Sequence, residues 1–502
     1  MIDKLHDMLA MQAAQRPGAT ALWWQGVATT YATLNERVVA LAARLAACGP
    51  PGERVAVLAW NCPAFLELIY AVPASGKILV PLNARLAPAE LIHQLQSAGV
   101  TTLFGDSGLL QPLLREGEFD PRVTAIDLDA GYEQWLARGQ VAPLPPTSAD
   151  DAVWILHTSG STGRPKGAVL THRSFLAGLR SAALGRPVVA TDRYLYPFPL
   201  FHVSAHNVLL QHQYGAAVVL MKSFDPVTTL QACRELKVTT MSLAPTMIAM
   251  LLDHPDFSAA DLRTVRTIGY GASAMPQTLL RRLLAQTDVG LCQSYGMTEL
   301  SGSVAFLTVE DHRLAAETRP ELLQTVGRPV PSVQVALTDE LGRACAIGDC
   351  GEILVRAEQC MRGYWHQDDA TSRAIVDGWL HTGDIGRFDT DGYLTIVDRK
   401  KDIIISGGEN VGSREVEEVM RRHPAVKDCA VIGVPDARWG EVVCGVVQLA
   451  GPASDRELSD HCRHFLAAYK TPRRWLRVDA LPLNAAGKID KPALRLAHAG
   501  AR

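Results

Sequence analysis

From residue 36 the apolar positions of this chain alternate between two spacings. "ERVVALAARLAACG" puts Val38, Leu41, Ala42 and Leu45 on one face of a helix that stops at Gly49, and "RVAVLAW" then reads as a buried strand. The unit repeats. "PAELIHQLQSAG" is followed by "VTTLFGD", and "PVTTLQACRELK" by "VTTMSLAP", a rhythm that runs to about residue 295. Helices alternating with strands predict parallel sheets covered by helices, and two α/β sheets fit a span of this length better than one.

Past Gly327 the pattern shortens to β-rich segments with turn residues, "VQVALTDELGRA", "GDCGEILVRA" and "DGYLTIVDR", with Asp391-Gly392 as a turn signal. After Arg399 a second α/β pattern begins: "DIIIS", a helix "SREVEEVMRRHP", strands "DCAVIGV" and "EVVCGVVQL", and a helix "DRELSDHCRHFLAAY". About a hundred residues suffice for a small separate domain. The expected division is 1–398 and 399–502, with no long linker between them.

Composition narrows the class. The chain has 502 residues, 48% hydrophobic and 20% charged, with a net charge of -3, the profile of a multidomain enzyme without the basic footprint of a nucleic-acid binder. The first residues, "MIDKLHDMLAMQAAQRPG", carry charges at every turn, and nowhere do 18 apolar residues run together, so neither a signal peptide nor a membrane span is expected and the location reads as cytoplasmic. Ten cysteines from Cys48 to Cys462 sit mostly in apolar runs without a C-x-x-C pair, which predicts buried, reduced thiols.

The chemistry begins at "ILHTSGSTGRPKGAVLTH", residues 155 to 172. Glycines let peptide N–H groups approach a ligand, Ser159, Ser161 and Thr162 add donors, and Lys166 adds a point charge, so the loop suits an oxyanion, with phosphate the obvious guest. It is not a Walker loop, because Lys166 lies between Pro165 and Gly167 and the hydroxyls precede it. A flexible Gly/Ser linker is the bland alternative, but linkers seldom follow an apolar run such as Val153 to Leu156.

Three further segments compete for roles. "TIGYGASAMP" contains G-x-G-x-x-A after a strand, a permitted dinucleotide fingerprint, but the acidic residue at the required distance, Asp288, precedes the next strand instead of ending it. "QSYGMTEL" sets an aromatic, a glycine, a hydroxyl and a carboxylate at a strand end: Thr298 suits a phosphate oxygen, Glu299 magnesium, and Tyr295 the wall of a base. His202 and His206 have i, i+4 spacing, yet no H-E-x-x-H glutamate and no third ligand accompany them, so pocket-lining or core histidines are expected there and not a zinc site.

Taken together, "TSGSTGRPKG", "YGMTE", "HTGD", "DRKKDIIISGGEN" and "LPLNAAGKIDKPALR" resemble the adenylate-forming (AMP-binding) family of acyl-CoA synthetases, firefly luciferase and peptide-synthetase adenylation domains. The motifs occur in family order over nearly the whole chain, which looks closest to bacterial medium- or long-chain acyl-CoA ligases and their aryl and alicyclic relatives. The resemblance implies a large N-terminal domain of two α/β sheets plus a β-barrel, and a mobile C-terminal domain hinged at Lys401.

It also implies ATP, Mg2+ and coenzyme A as cofactors. Thr158, Ser159, Gly160, Ser161, Thr162, Gly163 and Lys166 would hold the β- and γ-phosphates, with Thr298 and the metal-binding Glu299 completing that end. Gly271, Ala272, Ser273, Ser294, Tyr295 and Gly296 would border AMP, and Asp384 and Arg399 its ribose. Lys488 would bridge the substrate carboxylate and the α-phosphate, with His202 beside the reacting groups. Lys401, Ser406, Gly407, Gly408, Trp439, Tyr469 and Arg473 fall at coenzyme A positions, and His202, Val203, Tyr270, Gly271 and Met297 at the acyl pocket. One departure stands out: the family's proline after "GGEN" is replaced in "VGSREVE", where Gly412 loosens the loop and Ser413 is expected to cap the helix.

The partners implied are a small carboxylic acid and CoA, with an acyl carrier protein as the alternative acceptor; no nucleic acid is implied, and the enzyme would be a monomer or homodimer. "FPLFHVSAHNVLL" and the stretch around Tyr270 offer no Asp or Arg to pair with a second charge, so an apolar acid is expected. A P-loop phosphotransferase, which would make ADP, and a non-catalytic nucleotide-binding module are the rival classes.

Overall fold

Contacts divide the chain into two units, Met1–Val335 with Val355–Leu380, and Ala336–Leu354 with His381–Arg502. The computed structural model describes residues 2–116, 119–158, 165–271, 275–400, 402–406, 409–436, 439–484 and 487–498.

The larger unit holds two sheets, as the alternating pattern predicts. One has seven strands in the order Gly363–Tyr364, Lys166–Thr171, Ala152–Thr158, Ile78–Pro81, Arg54–Leu58, Val100–Gly105 and Thr124–Asp127, parallel from Ala152–Thr158 onward. The other has nine, and six of them, from Gly290–Met297 through Thr267–Gly271, Thr240–Ser242, Arg193–Tyr196 and Ala217–Leu220 to Thr20–Trp24, are parallel. The periodic helices form where the spacing places them. Tyr31–Ala46 buries Val38, Leu41, Ala42 and Leu45, and the Thr30 hydroxyl caps it by accepting from the Thr33 N–H at 3.2 Å. Pro226–Leu236 starts on Asp225, whose carboxylate accepts from the Thr228 N–H at 2.8 Å.

The smaller unit is built on the antiparallel pair Val426–Asp436 and Gly440–Leu449. Alternate residues of these strands serve two cores: Cys429, Val431, Val443 and Val447 pack with the helices Ser413–Met420 and Asp455–Phe465, while Ala430, Ile432, Val434, Val442, Cys444 and Val446 pack with Leu481 and Leu494. Both faces are covered, which is why these strands read as continuous apolar runs.

Two sequence expectations need correction. Ser413 is not the helix cap: Gly412 holds that position, and the Ser413 N–H donates to the buried Asp398 carboxylate while its hydroxyl takes a bond from the Lys491 ammonium at 2.5 Å. The carboxylate satisfies the first N–H of the helix from outside it, and Gly412, at φ -71, has a conformation open to any residue. The cysteines are unpaired, but only Cys233, Cys292, Cys429, Cys444 and Cys462 are buried, whereas Cys48 and Cys350 are exposed in turns and at a strand end. Among the described residues, no helix is long and apolar enough to cross a membrane.

Four histidines of the larger unit are held neutral by burial. Loss of water pulls His157, His206 and His212 down to about 4 and His172 to about 3. Their partners suit neutral rings: the Leu5 N–H donates to His172 Nδ1 at 3.0 Å, and His212 lies between the Tyr70 hydroxyl and the Ala21 carbonyl. Between their folded values and the ordinary 6.5 the unfolded chain binds more protons than the folded one, so this stability is complete above pH 6.5 and declines as pH falls toward 4. We expect urea unfolding between pH 7 and pH 5, above the carboxylate range, to show a free energy falling by up to about 1.4 kcal/mol per pH unit for each ring. His212→Gln is expected to remove one ring's share of that slope; an unchanged slope would show that His212 stays protonated in the fold.

Candidate active site

In the larger unit, the antiparallel strands Ala152–Thr158 and Lys166–Thr171 bracket the glycine-hydroxyl loop, with Thr158 directly opposite Lys166. Ser159, Gly160, Ser161, Thr162 and Gly163 lie outside the described residues. The Thr158 end of the loop meets Glu299, which stands buried in the single turn Thr298–Leu300. The Thr158 hydroxyl donates to Glu299 Oε1 at 3.2 Å, and the Tyr364 hydroxyl donates to the same oxygen at 3.0 Å. Burial, and then the Glu299 charge, push the Tyr364 phenol well above its ordinary value, so it remains a donor. The Lys166 ammonium lies 4.9 Å from the centre of the Tyr364 ring. Glu299 Oε2 makes no hydrogen bond with a described residue, which fits a carboxylate reserved for a cation. Among the described residues, no group of three or more His, Cys, Asp and Glu could hold a metal ion by itself, so such a cation would take its other ligands from phosphate and water, as magnesium does.

The backbone fixes this turn. A Cβ at Gly296 would stand 1.9 Å from the Gly302 carbonyl oxygen, where the pairing of Gly290–Met297 with Gly302–Leu307 shifts register between Tyr295 and Gly296. On the neighbouring parallel strand Gly271 faces Ser294, and a Cβ there would be 2.8 Å from the Ser294 carbonyl oxygen. Both lie at the carboxyl ends of parallel strands, where open α/β sheets bind their ligands. Ala272 and Ser273 are outside the described residues. Tyr295 is half-buried and Gly296 exposed.

The expected acyl residues divide. His202 packs its ring against Phe201 at 4.7 Å, Val203 opens the short turn Val203–Ala205, and Met297 ends its strand. Tyr270 is part of the core with Ile268 and Leu291, its hydroxyl bound to His312 Nε2 at 2.9 Å and to Gln293 at 3.3 Å. His206 is buried, neutral and bonded to the Val203 carbonyl at 2.9 Å, the core histidine that the sequence predicts.

The smaller unit carries the second group. Asp384 and Arg399 are cross-strand partners, with Arg399 Nε 2.9 Å from Asp384 Oδ1, and the Thr382 hydroxyl accepts the Asp384 N–H at 3.1 Å. Lys488 sits in a turn closed by two bonds with Asn484, the Asn484 N–H to the Lys488 carbonyl at 2.7 Å and the Lys488 N–H to Asn484 Oδ1 at 3.1 Å. The residue as a whole keeps solvent contact, yet its ammonium is depressed below the ordinary lysine value, first by lost hydration and then by Arg399, with Asp384 opposing. Three segments distant in sequence, Asp384, Arg399 and Lys488, therefore share one electrostatic neighbourhood.

Of the coenzyme A positions, Arg473 stacks its guanidinium 4.3 Å from the centre of the Trp439 ring, Ser406 is buried opposite Gly440, and Tyr469 lies on the short turn Ala468–Lys470. Lys401, Gly407 and Gly408 lie outside the described residues. Tyr364 is the residue that sequence reasoning missed, because "RGYWH" matches no motif and only the pairing of Gly363–Tyr364 with Val169 and Ala168 brings it to Glu299.

Residues 9–365 match the model of the AMP-binding enzyme family, and residues 415–488 match the AMP-binding enzyme C-terminal domain. The chain belongs to the AMP-binding enzyme family. It is 39% identical over 493 residues to a feruloyl-CoA synthase of Amycolatopsis sp, covering 96% of this chain and 97% of that one. It is 35% identical over 514 residues to a fatty acid–[acyl-carrier-protein] ligase of Streptomyces coeruleorubidus, covering 98% of each. Among solved structures it resembles the o-succinylbenzoate CoA synthetase of Bacillus subtilis in complex with its acyl-adenylate intermediate, with a TM-score of 0.87, 31% identity and 97% of each chain covered.

The close approach at Gly296 yields a test. Gly296→Ala forces the backbone apart at Gly302, and overpacking of this kind typically costs about 1–3 kcal/mol. We expect urea unfolding to register a loss of that size together with weaker AMP binding in calorimetry; wild-type values for both would show that the turn can shift freely.

Proposed function

We propose that this enzyme is an ATP-dependent acyl-CoA ligase that activates a largely apolar carboxylic acid, fatty, aromatic or alicyclic, as its acyl-AMP and transfers the acyl group to coenzyme A in the cytoplasm. The observation that carries the reading is Glu299, its one oxygen fixed by Thr158 and Tyr364 and its other left for a cation, at the mouth of a glycine-hydroxyl loop that ends on Lys166. That arrangement suits a magnesium-bound triphosphate, and membership of an AMP-binding family selects attack at the α-phosphorus over transfer of the γ-phosphate.

A carboxylate resists acyl transfer because oxide is a poor leaving group. In the proposed reaction its oxygen attacks the α-phosphorus of ATP, pyrophosphate departs, and the acyl-AMP now carries AMP as a leaving group for the CoA thiolate. The loop residues and Thr298 would hold the departing phosphates and Asp384 with Arg399 the ribose, while Lys488 balances charge built on the α-phosphate and carboxylate. Lost hydration around its ammonium strengthens its pull on an oxyanion. The boundary after residue 398, with Lys401 as hinge, is where we place the turn that withdraws Lys488 before thioester formation. Trp439, Tyr469 and Arg473 would then meet the CoA nucleotide.

Likeness to the fatty acid–[acyl-carrier-protein] ligase favours a second reading, in which the acceptor is a carrier protein. Free CoA consuming preformed acyl-AMP supports the first reading, and consumption only by a carrier protein supports the second.

Incubating the purified protein with ATP, Mg2+ and a panel of fatty, aromatic and alicyclic acids is expected to release AMP and pyrophosphate; ADP as the only product would overturn the ligase reading. Lys488→Ala is expected to slow acyl-AMP formation by at least about 10²-fold, the usual effect of losing one donor aimed at developing charge. With synthetic acyl-AMP and CoA supplied, the same variant should stay within about tenfold of wild type, a barrier difference near 1.4 kcal/mol. Collapse of both half-reactions in a normally melting protein would exclude the two-conformation scheme.

A further inference from the structure

Behind the residues expected to line the acyl pocket, the larger unit buries a positive charge with no carboxylate partner among the described residues. Arg186 is 9% exposed, and among the described residues its guanidinium reaches only neutral acceptors, the Ser242 hydroxyl at 2.8 Å and Asn207 Oδ1 at 3.2 Å. Ser242 is in turn held by the hydroxyl of Tyr194, whose ring centre lies 5.3 Å from the guanidinium carbon. An arginine offers five N–H donors, so this contact set leaves most of them unused, and a buried cation without a counter-charge is costly.

A second orphan lies close by in the fold. Gln211 is fully buried, and neither its amide nitrogen nor its amide oxygen has a hydrogen-bond partner among the described residues. Asn207 and Gln211 are four residues apart on the helix His206–Gln213, so both leave it on one face, the face from which Asn207 meets Arg186. Native proteins rarely leave such groups unpaired unless something else pairs with them.

Position then says what that something is. The guanidinium occupies the place where Gly269 lacks a side chain, since a Cβ there would be 1.9 Å from Arg186 Nη1. Gly269 and Gly271 are two residues apart on one strand and so face the same side of the sheet, and Asn207 follows directly on the His202 to His206 segment. Arg186 thus stands deeper along the same strand and helix that carry the expected acyl residues. The pocket segments contain no charge of their own; the fold imports one from the end of the helix His172–Gly185.

We propose that Arg186, with Gln211, receives a hydrogen-bond-accepting oxygen at the far end of the acyl group, so that the preferred acid carries a second oxygen function, a hydroxyl, keto or carboxylate group, remote from the carboxylate being activated. The inference rests on the acyl ligase reading and narrows its substrate class to acids that are apolar along their length and oxygenated at the tip. Discrimination of this kind is strong, because an acid without the oxygen leaves the buried donors unpaired.

The test uses pairs of acids that differ only at the distal end, cinnamate with 4-hydroxycinnamate and octanoate with octanedioate, and reads pyrophosphate release. In at least one pair the wild type is expected to favour the oxygenated acid by about tenfold or more in kcat/KM. In Arg186→Met that ratio should collapse toward one, with the loss falling in KM for the oxygenated acid, and Arg186→Lys should recover part of it. Gln211→Leu, an apolar replacement of similar size at an unpaired site, should lower the ratio at least threefold and serves alone if Arg186→Met does not fold. A wild type indifferent to the distal oxygen in both pairs, or a ratio unchanged in the variants, would overturn the proposal while leaving the ligase reading intact. Absence of AMP with every acid would instead overturn the ligase reading, and this inference with it.

Discussion

The larger unit ties three distant segments to one oxygen atom. Glu299 Oε1 accepts from hydroxyls at residues 158 and 364, so three segments separated by more than a hundred residues of chain, or by sixty-five in the shorter case, meet at a single acceptor. A carboxylate held in this way has lost most of its rotational freedom before any ligand arrives, and the ordering entropy that a cation would otherwise have to overcome is already spent in folding. The strand bracketing the loop and the strand bearing Tyr364 are hydrogen-bonded neighbours, so the seven-stranded sheet itself sets the spacing of the two donors.

The same principle recurs in the smaller unit with opposite charges. Asp384 and Arg399 are brought together by strand register, and Lys488 by a turn that its own backbone closes on Asn484. Arg399 is therefore both a partner for Asp384 and a source of repulsion toward Lys488, whose proton affinity is lowered first by lost hydration and then by that repulsion. A site assembled from backbone register keeps its geometry when solvent-facing residues around it change.

Much of this was legible from the chain. The helices with apolar residues at three- and four-residue spacing formed where expected, and the runs "DCAVIGV" and "EVVCGVVQL" became paired strands buried on both faces. Thr158, Lys166 and Glu299 could be singled out as candidates because each sits in a recognisable motif, and the structure brings Thr158 into hydrogen-bond contact with Glu299. Tyr364 was not, since a tyrosine in an unremarkable loop gains its role only through a two-residue strand pairing. Arg186 escaped for a related reason: a search for charges within the pocket segments looks along the sequence, whereas the guanidinium arrives from a helix end and fits because Gly269 is bare. The capping expectation for Ser413 failed because Ser413 is the first residue inside the helix, with Gly412 at the cap, and its own N–H is taken by Asp398, fifteen residues earlier.

The contact between Gly302 and His206 links the two halves of the larger unit's site. A Cβ at Gly302 would come within 3.3 Å of the His206 imidazole, so the turn carrying Glu299 and the helix carrying Asn207 already rest against each other with almost no slack. Bulk added to one wall has to be removed from the other. A side chain added at Gly302 can therefore be accommodated only if the His206 ring, and with it the start of that helix, gives way.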